Sequence, residues 1–268
     1  MKATIIGAGN MGGAIACGLA KGTTLNAEDI TCIDPNPAAL EKLRKTGMPF
    51  NLMTDMRKSI VGADILILAV KPYLAEEAIA EVRDLIDYRH QILFSVVAGV
   101  TFDQLNHYLF QGVKNIKPIQ FRVIPNTAVS IGESMTFIAE QNATKAQIKL
   151  AETIFGEMGR TMIVPERLLP AAMAMGSCGM AYAMRYVRAA MEGGIEVGFG
   201  AVESREIVLQ TMKGAIDLLI DSGNHPEVEI DRVTTPGGYT IRGLNAMEEK
   251  GFTSAVIAGI RESCKEKK

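Results

Sequence analysis

Two glycine turns carry the residue types best suited to chemistry. In Val233-Thr234-Thr235-Pro236-Gly237-Gly238-Tyr239-Thr240 a proline fixes one turn angle, glycines admit positive φ and hydroxyls frame both. Thr240 stands where a helix could start, so backbone N–H groups here could grip a carboxylate or phosphate; an ordinary loop between helices would use the same residues. The second turn, Gly7-Ala8-Gly9-Asn10-Met11-Gly12, follows a strand-like run and opens a helical one. Its first glycine permits a tight turn, its second lets the backbone approach a pyrophosphate, and its third allows close helix–strand packing. Asp34 ends the next strand-like run about 20 residues on, where an acidic side chain holds adenosine ribose hydroxyls. Its charge opposes a 2′-phosphate, and Asp34-Pro35-Asn36-Pro37 brings no arginine, which tilts the expected cofactor toward NAD(H). The plainer alternative for Asp34 is an Asp-Pro turn before a helix.

Two further loops, Ala69-Val70-Lys71-Pro72 and Val97-Ala98-Gly99, leave strand-like runs at their carboxyl ends, where open α/β sheets bind ligands. Reduction of a ketone needs a proton donor beside the carbonyl, and the chain offers few. Its histidines are His90 before a strand, His107 in a helix and His225 in a loop, and no lysine falls between Lys149 and Lys213. A cyclic imine avoids the requirement, because its iminium form accepts hydride with no further acid.

The elements that must position these turns follow from periodicity. Strand-like runs at Ala3–Ile6, Ile30–Ile33, Phe50–Met53, Ile65–Val70, Ile92–Val97, Ile119–Val123, Ser134–Ala139 and Thr161–Val164 alternate with helical stretches. Those stretches are Met11–Lys21, Pro37–Lys45, Glu76–Leu85, Phe102–Tyr108 and Lys145–Met158. Alternation of this kind predicts an α/β fold, a Rossmann-type dinucleotide-binding domain over residues 1–164 with a mainly parallel sheet. From residue 165 onward only helical spacing remains, near Met175–Val197, Ser204–Ser222, Ile241–Glu249 and Thr253–Glu266, which predicts an all-α second domain, 165–268. Its apolar residues exceed one stripe per helix, so helix-on-helix burial between subunits is expected.

At 268 residues and 48% apolar the chain can bury real cores. A formal charge of −2 with no basic cluster argues against nucleic acid; only the tail from Cys264 is locally basic. Cys17, Cys32, Cys178 and Cys264 lack metal-ligand or redox spacing, so no metal is expected and the thiols read as reduced, in the cytoplasm. No targeting pattern opens the chain. The uncharged stretch Leu168–Met184 falls short of the roughly 20 residues a membrane span needs and reads as a helix buried in a protein core or a subunit interface.

The segment Asp231–Gly251, Asp-Arg-Val-Thr-Thr-Pro-Gly-Gly-Tyr-Thr-Ile-Arg-Gly-Leu-Asn-Ala-Met-Glu-Glu-Lys-Gly, resembles the signature of pyrroline-5-carboxylate reductases, enzymes of the last step of proline synthesis. The glycine turn, Ala69–Pro72, Ala98–Thr101, Arg122–Thr127 and Ser222–Pro226 resemble family segments in the family's order, so the likeness spans the whole chain. It implies NAD(P)H-dependent reduction of (S)-1-pyrroline-5-carboxylate to L-proline, with hydride passing from nicotinamide C4 to the imine carbon. It implies a carboxylate grip by Thr235, Gly237, Gly238, Tyr239 and Thr240, with Thr240 also on the ring nitrogen. It places the nicotinamide near Val97, Ala98, Pro125 and Asn126, and Glu166 at a position facing the substrate ammonium; a first-turn acid on a helix is the alternative for Glu166. It implies an intertwined homodimer, which some members assemble further.

Three departures stand out. Gly176-Ser177-Cys178-Gly179-Met180-Ala181-Tyr182 replaces the family's usual Ser-Gly-Ser-Gly-Pro-Ala-Tyr, Ala128 replaces a frequent proline, and Tyr239 replaces a small residue. They leave two further readings: a reductase of another cyclic imine, or a non-catalytic dinucleotide-binding dimer.

Overall fold

The computed structural model describes residues 1–110 and 117–265. They form two compact units divided between Ser177 and Cys178.

In the first unit, strands β1 (Ala3–Ile6), β2 (Ile30–Ile33), β3 (Asn51–Met53), β4 (Ile65–Leu68), β5 (Ile92–Ser95), β6 (Ile119–Ile124), β7 (Ser134–Gln141) and β8 (Gly159–Ile163) make one sheet. The spatial order is β3-β2-β1-β4-β5-β6-β7-β8, and every neighbouring pair is parallel except β6 with β7. Helices α1 (Asn10–Lys21), α2 (Pro37–Arg44), α3 (Ala75–Val82), α4 (Phe102–Leu109) and α5 (Lys145–Gly156) connect the strands. Because helices cover a parallel sheet on both faces, β1, β4 and β5 are buried at every residue and read as unbroken runs rather than alternating ones. Phe94 is fully buried between Phe121, stacked at 4.9 Å, and Phe155, edge-on at 5.3 Å. Each such ring contributes roughly 1.5–3 kcal/mol by leaving water. Thr101 with Gln104 and Thr144 with Gln147 form capping boxes that start α4 and α5. The chain moves outward from β1 to β3 and then returns to lay β4 on β1's other side, so the switch point lies between β1 and β4.

The strands and helices of this unit fall where periodicity expects them, with ends shifted by a few residues. The unit runs beyond residue 164, however. Short helix α6 (Leu169–Ala172) and a π-helical turn, Met173–Cys178, follow β8, and Leu169, Ala172 and Ala174 are buried. The stretch Leu168–Met184 is therefore not one continuous helix: its first part packs on the sheet as α6, the π turn follows, and Met175 and Met184 are exposed in the single chain.

The second unit consists of α7 (Gly179–Glu196), α8 (Ala201–Ser222), α9 (Pro226–Arg232), α10 (Tyr239–Glu249) and α11 (Phe252–Ser263). Tyr182 Oη donates to the Gly259 carbonyl at 3.1 Å and ties α7 to α11. Glycine at position 223 adopts φ +63° and stops α8. His225 ends the loop before α9 and serves as its N-cap, its ring accepting from the Glu227 amide. The expected end of the last helix, Glu266, lies outside the described residues, as does the basic tail after Lys265. Within α7–α11 only Ser204 is buried. No helix among the described residues is long and apolar enough to cross a membrane.

Candidate active site

At the switch point, the Gly7 amide donates to the Ile33 carbonyl and the Ala69 amide to the Ile6 carbonyl, both at 2.8 Å, so the glycine turn hangs between the carboxyl ends of β2 and β4. Gly7 has φ +99°, and a Cβ there would lie 2.7 Å from the Ala69 carbonyl oxygen. A Cβ on Gly12 would run into the Gly7 carbonyl, whereas one on Gly9 would meet nothing within 4 Å. The turn is thus closed toward the protein and open at the face a pyrophosphate approaches. Gly9 caps α1 without a side-chain hydrogen bond, leaving first-turn N–H groups and the positive dipole end for an anion. These residues fit a dinucleotide.

Asp34 sits just beyond β2. Its Oδ2 accepts from the Ala8 amide and its Oδ1 from the Asn36 amide, both at 2.9 Å. The carboxylate therefore braces the glycine turn and starts the Pro35–Pro37 turn, while each oxygen keeps a further acceptor site for a ribose hydroxyl. Asn10 and Met11 open α1, and Pro35 is exposed. Ala69 and Val70 are half-buried at the end of β4, Lys71 and Pro72 are exposed beyond them, and Val97 is buried with Ala98 exposed after β5.

Pro125 and Asn126 are buried after β6. Asn126 Oδ1 accepts from the Ala128 amide at 2.9 Å, and its Nδ2 donates to the Gly176 carbonyl at 2.9 Å. Its backbone amide donates to Ser134 Oγ at 3.1 Å. Glu166 is similarly engaged: Oε1 accepts from Arg122 Nη1 and from the Phe102 amide, each at 2.7 Å. Arg122 is buried, so Glu166 neutralises a buried cation and meets the first amide of α4; no substrate role is needed to explain it. Neither Arg122 nor Ser134 was given a site role by sequence reasoning: Arg122's partner lies 44 residues on, and Ser134 carries no motif that announces its bond to the loop after β6.

In the second unit, Gly237 has φ +68° and the Gly238 amide donates to the Thr235 carbonyl at 2.9 Å, closing the turn. That bond takes Gly238 out of the set of amides expected to hold a carboxylate. Gly238 is the N-cap of α10 and no side chain caps it, so the first-turn amides, from Tyr239 and Thr240 onward, present themselves to an anion. Thr235 and Thr240 are exposed beside the turn. Tyr239 is 88% exposed and carries the Arg242 guanidinium 4.9 Å over its ring. Arg242 Nε also donates to the Gly238 carbonyl at 3.4 Å.

No histidine joins either turn: His90 pairs with Asp87, His107 packs edge-on against Tyr108, and His225 caps α9. Burial pushes the Cys32 thiol up to about 12 and raises Cys17 as well, so neither is a nucleophile at neutral pH. No metal-ligating cluster occurs among the described residues.

A parallel sheet with an open glycine turn at its switch point, followed by a helical unit with an uncapped helix start, defines a class: nicotinamide-dinucleotide oxidoreductases. Residues 2–99 match the family model for NADP oxidoreductases, coenzyme F420-dependent, and residues 166–268 match the model for pyrroline-5-carboxylate reductase dimerisation. Pyrroline-5-carboxylate reductase 2 of Dictyostelium discoideum is 35% identical over 96% of this chain and 88% of its own length. Pyrroline-5-carboxylate reductase 1 of the same organism is 34% identical over 96% of this chain, which spans 47% of that longer relative. The crystal structure of Plasmodium falciparum pyrroline carboxylate reductase with NADP bound superposes with a TM-score of 0.86 at 24% identity, covering 98% of this chain and 95% of that one. The chain belongs to the pyrroline-5-carboxylate reductase family.

Proposed function

We propose that this chain reduces (S)-1-pyrroline-5-carboxylate to L-proline with NAD(P)H. The observation that carries the reading is the pairing, in one chain of this family, of an open dinucleotide turn at Gly7–Gly12 with an uncapped, carboxylate-ready helix start at Tyr239–Thr240. When bound, the reduced nicotinamide supplies the hydride.

The chain's own residues bind, orient and exclude water. Gly7–Gly12 and the α1 start hold the pyrophosphate, Asp34 the ribose, and Ala69–Pro72 the remaining dinucleotide edge. Val97, Ala98 and Pro125 flank the nicotinamide. Amides from Tyr239 and Thr240 hold the substrate carboxylate, the Thr235 and Thr240 hydroxyls flank it, and Thr240 Oγ1 accepts from the protonated ring nitrogen. Because the iminium arrives protonated, no general acid is required, in keeping with the absence of histidine from both turns. Rate then comes from placing the imine carbon against the hydride donor in a water-poor site.

Residues 165–268 serve as dimerisation and substrate unit, and the protein acts as a homodimer in the cytoplasm, with larger assembly open to it. Asp34, both of whose oxygens face amides that set the ribose loop, favours NADH slightly over NADPH.

A side-by-side assay with both cofactors tests this. Oxidation of NADH or NADPH with the five-membered imine, inhibited by proline, is the expected outcome, with NADH somewhat better. Dinucleotide binding without imine turnover would sink the reading. Faster turnover of a six-membered imine would instead assign the exposed Tyr239 to a larger-ring substrate.

A further inference from the structure

We infer that Asn126 is a positioning residue for hydride transfer rather than a cofactor ligand, acting through the π-helical turn Met173–Cys178. The inference rests on the proposed function for its reaction, but not for its geometry. Asn126 is 5% exposed and both ends of its amide are engaged, Oδ1 with Ala128 N and Nδ2 with Gly176 O. Ser134 Oγ, which receives the Asn126 N–H, is itself in contact with Thr136 Oγ1 at 3.0 Å, and both residues are buried. Both ends of the side-chain amide are thus committed to the protein's own backbone.

Its partner is an irregular turn, and that is informative. A π turn breaks the α-helical ladder and is kept mostly where function uses it. This one is fixed from two sides. Asn126 holds the Gly176 carbonyl, and the Phe137 ring lies so close to Gly176 that any Cβ there would strike it. Asn126 thus joins the loop after β6, which flanks the nicotinamide in the proposed function, to the turn at which the chain leaves the sheet unit. Releasing that tie leaves the glycine turn and Asp34 intact, so dinucleotide affinity persists while the nicotinamide loses its fixed backing. Misplacement of this kind lowers kcat.

Asn126→Asp isolates the tie. The carboxylate still accepts from Ala128 N but repels the Gly176 carbonyl, and once protonated its O–H donates to that carbonyl. Burial raises the introduced carboxyl's pKa. The side chain's partners, the Ala128 amide and the Gly176 carbonyl, do not ionise, and the charges on the packed elements, Arg122 and Glu166, neutralise one another.

We expect kcat about tenfold below wild type at pH 8, a variant-to-wild-type ratio that climbs toward one as pH falls, and a dinucleotide Kd within about twofold from nicotinamide fluorescence. Asn126→Ala should lose rate without the pH-dependent recovery. Equal rates at every pH, a loss that ignores pH, or a parallel loss of dinucleotide affinity would each overturn the inference. Wild-type turnover of the imine separately judges the proposed function. Amide exchange of wild type needs no variant: residues 173–178 should slow when dinucleotide binds, and unchanged exchange there contradicts the coupling.

Discussion

The two units differ in how they satisfy their apolar residues. The sheet unit has two layers of buried side chains, from Ile5, Ile15 and Phe94 on one face to Leu66, Val97 and Leu105 on the other, and closes its core within one chain. Helices α7–α11 have comparable apolar content, yet Val202, Leu209, Ile216 and Ile220 line α8 at spacings of seven, seven and four with 45–68% of their surface exposed. Such spacing puts them on one stripe, and a stripe of this length left in water costs far more than isolated surface leucines do. The contrast teaches that the first unit closes its core within one chain, while the second leaves an apolar stripe uncovered. The match of residues 166–268 to a dimerisation model agrees with that division.

Breaking the second unit's apolar stripe should have the largest effect. Ile216→Asp places a charge on the stripe, and the expected result is a shift from dimer to monomer in sedimentation, with loss of helical circular dichroism and of turnover. A dimer of unchanged mass would remove α8 from the interface.

A smaller effect should appear where the sheet unit supports itself. Glu157 Oε1 accepts from the amides and hydroxyls of both Thr23 and Thr24, at 2.7–3.0 Å, tying the segment after α1 to the end of α5. Burial raises its pKa, but those four bonds outweigh burial and hold it below 4.5. The folded-state value is depressed, so the stabilisation is present above the unfolded pKa and disappears as pH falls through the folded one. Glu157→Gln should lower stability by about 1 kcal/mol at pH 7, measured by urea titration, and match wild type in acid, with dimer mass unchanged. A pH-independent difference would mean that the charge contributes nothing.

Much of the sheet unit was legible in the sequence because buried parallel strands read as apolar runs and helices carry caps: Thr101-x-x-Gln104 and Thr144-x-x-Gln147 are visible by eye. The glycine turn was legible for the same local reason. Helix α9 could have been found too, since Pro226 at its first position and acidic Glu227 and Glu229 in its first turn are helix-start signals. What local pattern could not show were the partners of Asp34, Asn126 and Glu166. Each is decided by a residue 26 or more positions away, such as Ala8, Gly176 or Arg122, and only the folded sheet brings those together. The π turn is hidden likewise, because Gly176-Ser177-Cys178 carries no proline or cap to announce it.

The division of labour between the units can be tested at one hydroxyl. Thr240→Ala removes Oγ1 from the start of α10 and leaves the glycine turn of the sheet unit untouched. The measurement is kcat/KM for the cyclic imine beside the Kd of the reduced dinucleotide. The account predicts a loss of about tenfold or more in kcat/KM, as expected for a hydrogen bond to a charged group, with the dinucleotide Kd unchanged. Wild-type turnover, or a loss of dinucleotide binding instead, would contradict it.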